Sequence, residues 1–577
     1  MLKKIRVILA TLCLVAVTLL FLDFSGTLHH WLGWLAKIQF LPAVLALNLV
    51  VIIALLLVTI LFGRIYCSVI CPLGVFQDGV ANLSRKGKKG KYSYSKEMKW
   101  LRYGVWVVFV VALIAGVNAL VALLAPYSAW GRIVQNLLAP VWQWGNNLFA
   151  SIAEKHESYS FYTKEVWLKS LPTFLVAIAT LVAIVILAWK NGRTYCNTIC
   201  PVGTTLSFFS RFAMFRPVID ASKCKSCHLC EHKCKAACID IDGGKKIDYS
   251  RCVDCFNCID NCKFDALHYR FAWGRGTSAG QPSGPGRVHP RSAAAEYGLS
   301  PEAAPADGIP ARENHATLGT VRGGTVSEAN GGAERSEAFE RPEVSSDSVS
   351  APADKTRRAF LVGSALALGG SALSGVKALA QTEPAEDEPV KIEGEGGFAD
   401  IIPKIAPKRS VSITPFGSES VEAFYKHCTA CQLCVAVCPN DVLRPSKDLK
   451  HLMQPQMSFE RGYCRPECVK CSEVCPAGAI LKITPEEKTQ WKVGTASITP
   501  WLCLVDNGEV DECGNCSRHC PVGAIQMVKK VREDGKTVMI PSVEEEKCIG
   551  CGACENLCPA RPISAITVNG YQIHHKA

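Results

Sequence analysis

Cys548-Ile549-Gly550-Cys551-Gly552-Ala553-Cys554-Glu555-Asn556-Leu557-Cys558-Pro559 is the stretch from which the class of this chain is read. Its spacing, C-x2-C-x2-C-x3-C-P, has a geometric cause. Three closely spaced thiolates wrap three corners of an iron–sulfur cubane, and the fourth faces away toward a partner half. The same run occurs at Cys428, Cys431, Cys434 and Cys438, followed by Pro439. It recurs without the proline at Cys224, Cys227, Cys230, Cys234 and at Cys252, Cys255, Cys258, Cys262, where Lys235 and Lys263 follow. Two variants complete the set. Cys464, Cys468, Cys471, Cys475 has one extra residue in its first gap, and Cys503, Cys513, Cys516, Cys520 opens that gap much wider; Pro476 and Pro521 follow.

Six groups of four account for 24 of the 30 cysteines in 577 residues. Disulfide scaffolds scatter their cysteines. Zinc ribbons pair C-x2-C units across a long spacer and do not end in Cys-Pro. The run is instead the ligand pattern of bacterial ferredoxins, whose fourth cysteine serves the other cluster of a pair. The expectation is about six [4Fe–4S] clusters. In the second half the fourth ligands exchange either between neighbouring groups or between the outer two and the inner two.

Outward from the cysteines, hydropathy sets the frame. Segments 6–23, 41–62, 103–125 and 171–189 are apolar and long enough to span roughly 30 Å of hydrocarbon. Lys3, Lys4 and Arg6 precede the first, and Arg64, Arg85, Lys86, Lys88, Lys89, Lys91, Lys96 and Lys99 follow the second. Arg193, Arg211 and Arg216 follow the fourth, whereas 24–40 holds only Lys37. The positive-inside rule then places both ends of this unit in the cytoplasm.

Residues 274–354, rich in Gly, Ala, Ser, Pro and Glu, read as a disordered linker. Residues 355–381 open with Arg357-Arg358, continue in a Gly- and Ser-diluted apolar stretch, and end in Ala378-Leu379-Ala380. They resemble a twin-arginine export signal that, uncleaved, forms a fifth span. The expected fold is an α-helical membrane bundle of four spans plus a fifth signal-anchor span, with α+β ferredoxin-like domains on both sides. Its parts are a transmembrane unit (1–217), a cytoplasmic two-cluster domain (218–273), the linker, the signal segment, and a periplasmic four-cluster domain (382–577). The setting is a bacterial inner membrane.

Gly63-Arg64-Ile65-Tyr66-Cys67-Ser68-Val69-Ile70-Cys71-Pro72-Leu73-Gly74 follows the second span, and Gly192-Arg193-Thr194-Tyr195-Cys196-Asn197-Thr198-Ile199-Cys200-Pro201-Val202-Gly203 follows the fourth. Eight of the twelve positions match, so the unit reads as a duplicated helical hairpin. Cysteines at i and i+4 share a helix face. Each pair is therefore a candidate redox thiol pair, or a metal ligand set if the two pairs meet. The bland alternative is small residues packing a helix end. Arg64 and Arg193, with Tyr66 and Tyr195 beside them, are candidates to hold the thiolates, a quinone oxygen or a lipid phosphate.

Cys13 reads as packing. Cys238 reads as a spare beside the first cluster run, in competition with Cys234. Cys224-Lys225-Ser226-Cys227-His228 matches the haem c attachment motif, but both cysteines belong to a ferredoxin run, and no haem is expected. His29-His30 offers a b-type haem ligand or a quinol proton acceptor, against the plainer reading of a solvated helix end. The net charge of +12 is accounted for by the basic loops and implies no nucleic acid.

The duplicated Arg-x-Tyr-Cys-x3-Cys-Pro motif with its trailing two-cluster ferredoxin resembles the NapH family of membrane subunits. The twin-arginine segment and four cysteine groups that follow are similar to the NapG family. Over 1–272 and 355–577 the chain resembles a fusion of the two. That resemblance implies quinol oxidation from the quinone pool, with Cys67, Cys71, Cys196 and Cys200 near that step. Electrons would then pass to a periplasmic acceptor, a molybdenum enzyme such as nitrate reductase or a cytochrome c. The competing class is a metal-handling or assembly factor for a respiratory oxidoreductase.

Overall fold

The computed structural model describes residues 1–86, 92–158, 162–272 and 402–576, all within one compact unit. The linker and the twin-arginine segment expected at 274–381 lie outside the described residues. Four apolar helices organise the first part: α1 (Leu2–Leu22), α2 (Leu49–Phe62), α3 (Lys99–Ile114) and α4 (Leu171–Asn191). Among the described residues only α1 and α4, 21 residues each, are long and apolar enough to cross a membrane.

The other two expected spans are broken, and the backbone says why. Segment 41–62 divides into Phe40–Leu45 and α2, because Leu47 turns left-handed (φ 50°) and Asn48 caps α2 by accepting from the Val51 N–H at 3.3 Å. Segment 103–125 ends its helix at Ile114. Gly116 takes φ 73°, a conformation free of strain only without a Cβ, and a second helix runs Asn118–Leu124. At 1.5 Å per residue α2 and α3 are ~21 and ~24 Å long, against ~31 Å for α1 and α4.

The first ferredoxin module is closed by an antiparallel ribbon in which Phe215–Ile219 pairs with Leu267–Phe271. The second module carries three such ribbons: Leu443–Pro445 with Pro455–Met457, Trp491–Ile498 with Ile566–Lys576, and Ile525–Val531 with Thr537–Val543. Each module folds around its cysteines, with a few aliphatic side chains filling between them.

All four helices present one end to each module. At the first module, Lys3 Nζ meets Asp260 at 2.7 Å, and Tyr269 donates to the Phe62 carbonyl at 3.3 Å. There, too, Arg102 reaches the Ser250 carbonyl at 3.0 Å, and the Arg193 N–H reaches the Lys235 carbonyl at 2.9 Å. At the far ends, Lys470 Nζ donates to the Ser25 carbonyl at 2.9 Å and Ala46 packs on Gly478. Asn118 donates to the Tyr425 carbonyl at 2.9 Å and Lys169 Nζ to the Val435 carbonyl at 3.3 Å. The helices therefore stand between the two modules.

Candidate metal centres

The cysteine loops share one backbone. In four groups the residue before the second cysteine and the residue after it are both left-handed: Ser226 and His228, Asp254 and Phe256, Ala430 and Gln432, Gly550 and Gly552. Five groups turn left-handed again three residues past the fourth cysteine, at Ala237, Asp265, Asp441, Gly478 and Gly523. Such turns aim successive N–H groups inward at an anion. Sulfur receives them: Ala266 N–H to Cys262 at 3.3 Å, Ala430 N–H to Cys428 at 3.4 Å, Ala524 N–H to Cys520 at 3.2 Å.

The thiols surround cavities, and the lining of each tells which thiols belong together. Cys224, Cys227 and Cys230 share theirs with Cys262; Cys252, Cys255 and Cys258 share theirs with Cys234 and Cys238. Cys464, Cys468 and Cys471 face Cys438, and Cys503, Cys513 and Cys516 face Cys558. The remaining triplets sit beside Cys475 (with Cys428, Cys431, Cys434) and beside Cys520 (with Cys548, Cys551, Cys554), near enough to interact electrostatically. Fourth cysteines thus cross between sequence neighbours, and the outer-with-inner pairing left open by the spacing does not occur. Among the described residues no three Cys, His, Asp or Glu side chains converge as they would on one metal ion. Open cages of thiols with inward N–H groups fit a cluster, which spreads its ligands.

Cys238 is no bystander. Its Sγ lies 3.5 Å from Cys234 Sγ and both line one cavity. Cys13 is half-buried and His30 is exposed, while His29 is buried with its backbone N–H on Asp23.

The two membrane motifs meet. Cys67, Cys71, Cys196 and Cys200 are all buried in one apolar cluster, together with Cys431, Leu433 and Val474 of the second module. Arg64 and Arg193, both fully buried, cross over: Arg64 Nη2 donates to the Cys196 carbonyl at 3.0 Å, and Arg193 Nη1 to the Cys67 carbonyl at 2.7 Å. Each guanidinium also lies 3.9 Å from the sulfur of its own motif. Tyr66 donates to Gln39 at 3.0 Å and Tyr195 to the Leu124 carbonyl at 3.2 Å. Apart from Arg64 Nε, which has no partner among the described residues, these four side chains spend their polar atoms on the protein itself.

Several contributors were not singled out from the sequence. Asp78 is buried and faces Arg6 (2.6 Å), Arg193 (2.8 Å) and Lys235 (3.5 Å). Gln77, fully buried, places Oε1 3.6 Å from Cys196 Sγ. Lys488 Nζ lies 3.1 Å from Cys464 Sγ. Burial pushes the Asp254 carboxyl, beside Cys252, up to about 7, and lowers the Lys404 ammonium, which caps the Glu555, Asn556 and Cys558 carbonyls, to about 8. A single Asp, Gln or Lys within an ordinary amphipathic segment gives no sequence signal, since proximity to the thiols arises only on folding.

A family described as a 4Fe–4S binding domain matches residues 44–91 and 173–218, and one described as a 4Fe–4S dicluster domain matches 511–561. The chain is 30% identical over 157 residues to the methylamine utilization ferredoxin-type protein MauM of Methylophilus methylotrophus, covering 26% of this chain and 69% of that one. To MauM of Paracoccus denitrificans it is 30% identical, covering 28% and 75%. To the ferredoxin-type protein NapF of Escherichia coli K12 it is 29% identical, covering 29% and 90%. It spans 38% of an uncharacterised Methanocaldococcus jannaschii protein, at 32% identity over 17% of this chain. No solved structure matches.

Proposed function

The chain belongs to the ferredoxin-type 4Fe–4S proteins that include MauM, and from that premise we propose that it is a membrane conduit drawing electrons from a quinol and delivering them to a periplasmic reductase. The observation that carries this reading is the position of the helices, each with one end on either ferredoxin module. Bound clusters supply one-electron chemistry, and a quinol gives up two electrons and two protons. The proposed complement is six clusters held by the six crossed cysteine sets, with α1 and α4 as continuous spans and α2 and α3 completed by the short helices Phe40–Leu45 and Asn118–Leu124.

A quinol headgroup needs a pocket near a cluster. A cavity of about 370 Å³ lies where the bundle meets the first module, lined by Lys96, Glu97, Asn197, Ala236 and Arg251 among others. Its size suits a small-molecule site. Glu97, paired with Arg102 at 2.5 Å, is its carboxylate and would take a quinol proton. Asn197 joins this wall to the membrane thiols by accepting from Arg64 at 2.8 Å and donating to the Ala236 carbonyl at 3.3 Å.

The test is addition of a short-chain menaquinol to membranes containing the full chain, followed by EPR. Reduced-cluster signals are expected. Clusters that dithionite reduces but menaquinol leaves oxidised would overturn the quinol reading.

A further inference from the structure

The membrane thiols have a ferredoxin module on either side: Arg64 of their motif donates to the Ser250 carbonyl of the first module at 3.1 Å, and Cys431 of the second shares their apolar cluster. The four membrane thiols lie between the modules, and we propose that Cys67, Cys71, Cys196 and Cys200 together hold one buried iron–sulfur cluster that relays single electrons from one module to the other. This rests on the electron-transfer reading above, and goes beyond it by assigning a seventh centre. Each stretch matched by the 4Fe–4S binding family brings only two of these thiols, half a ligand set.

Geometry supports one shared site. All four thiols are buried in one apolar cluster, and each motif's arginine lies 3.9 Å from its own motif's first sulfur while holding the other motif's first cysteine by its carbonyl. The crossed arginines lock the two loops face to face, and each motif glycine lets its own loop fold closely on itself while leaving room for the other motif's guanidinium. A Cβ on Gly74 would stand 2.3 Å from the Cys67 carbonyl oxygen and 2.9 Å from Arg193 Nη1. One on Gly203 would stand 2.4 Å from the Cys196 carbonyl oxygen and 2.6 Å from Arg64 Nη2. The thiols also continue without a break into the apolar cluster containing Cys431, a thiol of the second module.

Charge supports an anion there. Arg64 and Arg193, beside these thiols, are fully buried, yet Asp78 is already shared among Arg6, Arg193 and Lys235. Among the described residues no carboxylate lies within ion-pair distance of the Arg64 guanidinium. Buried cations without counter-ions are costly. Four metal-bound thiolates would supply the missing negative charge, whereas four neutral thiols would not. Among the described residues buried Gln77 Nε2 also has no partner, and its amide oxygen already rests against Cys196. Turning the amide over makes it a donor to a ligated sulfur. In turnover the centre gains one electron from a reduced cluster of one module and loses one to an oxidised cluster of the other. No bond or proton changes hands.

The test is anaerobic native mass spectrometry of the full chain, with iron and acid-labile sulfide assays. Wild-type protein is expected to carry iron beyond the content of its six ferredoxin sets. The C67S/C196S variant should lose about two to four iron atoms while keeping the ferredoxin EPR signals that report its folding. Iron equal to six clusters in the wild type, with these thiols alkylated by N-ethylmaleimide, joined as disulfides or holding zinc, overturns the proposal. No quinol enters this experiment, so its outcome is independent of the quinol reading.

Discussion

Asp78→Asn removes one negative charge and little volume. The carboxylate faces three cations, Arg6 at 2.6 Å, Arg193 at 2.8 Å and Lys235 at 3.5 Å, and all four side chains are at most 6% exposed. Breaking a buried pair by removing one partner costs ~3–5 kcal/mol, because the abandoned charge stays out of water. Here three charges are abandoned, so the upper end applies. At ~2–4 °C per kcal/mol the melting temperature should fall by ~10–20 °C. The loss concentrates where the bundle meets the first module, since Lys235 adjoins Cys234 and its carbonyl holds the Arg193 N–H. The assay is thermal unfolding in detergent, followed by visible iron–sulfur absorbance. Adding Arg6→Gln to the variant should recover part of the loss by removing one unpaired cation. A D78N protein melting within ~1 °C of wild type would refute the assignment of Asp78 as their counter-ion.

Cys234 and Cys238 should substitute for one another. Cys234→Ser is expected to keep its cluster with an altered EPR spectrum, and the double serine variant to lose about four iron atoms; loss of all four in the single variant would show that Cys238 cannot ligate. Lys488→Met removes a charged donor to Cys464 sulfur, so the potential of that site should become more negative in an EPR redox titration. Gly203→Ala should distort its own motif loop and displace the Arg64 guanidinium, since its Cβ would stand 2.4 Å from the Cys196 carbonyl oxygen and 2.6 Å from Arg64 Nη2, and iron content per chain should drop without loss of the first module's signals. Glu97→Gln should slow menaquinol-driven reduction and leave dithionite reduction unchanged.

The cysteine groups were legible because ligand spacing is local: three thiols within seven residues constrain their own loop. Pairing of the fourth cysteines was not, since either exchange satisfies the same spacing and only the fold selects neighbours. The apolar segments were found, but hydropathy averages over Leu47-Asn48 and Gly116, where backbone conformation breaks the helices. The repeat of Arg-x-Tyr-Cys predicted a shared role for the two motifs, and their meeting in space needed the structure. Asp78, Gln77 and Lys488 were invisible for the same reason. Asp78 pairs with cations from three other segments, and Gln77 and Lys488 act on thiols supplied from elsewhere in the chain, Cys196 and Cys464.

The central claim is that electrons pass between the two ferredoxin modules through the bundle. Its most direct test places the full chain in sealed liposomes in one orientation and adds dithionite, a membrane-impermeant reductant, outside. Rapid-freeze EPR then follows both modules, distinguished by Cys→Ser variants of each. The account predicts that clusters on the sheltered side are reduced too, and that this transfer is lost in C67S/C196S. Reduction confined to the exposed module in the wild-type protein would contradict it.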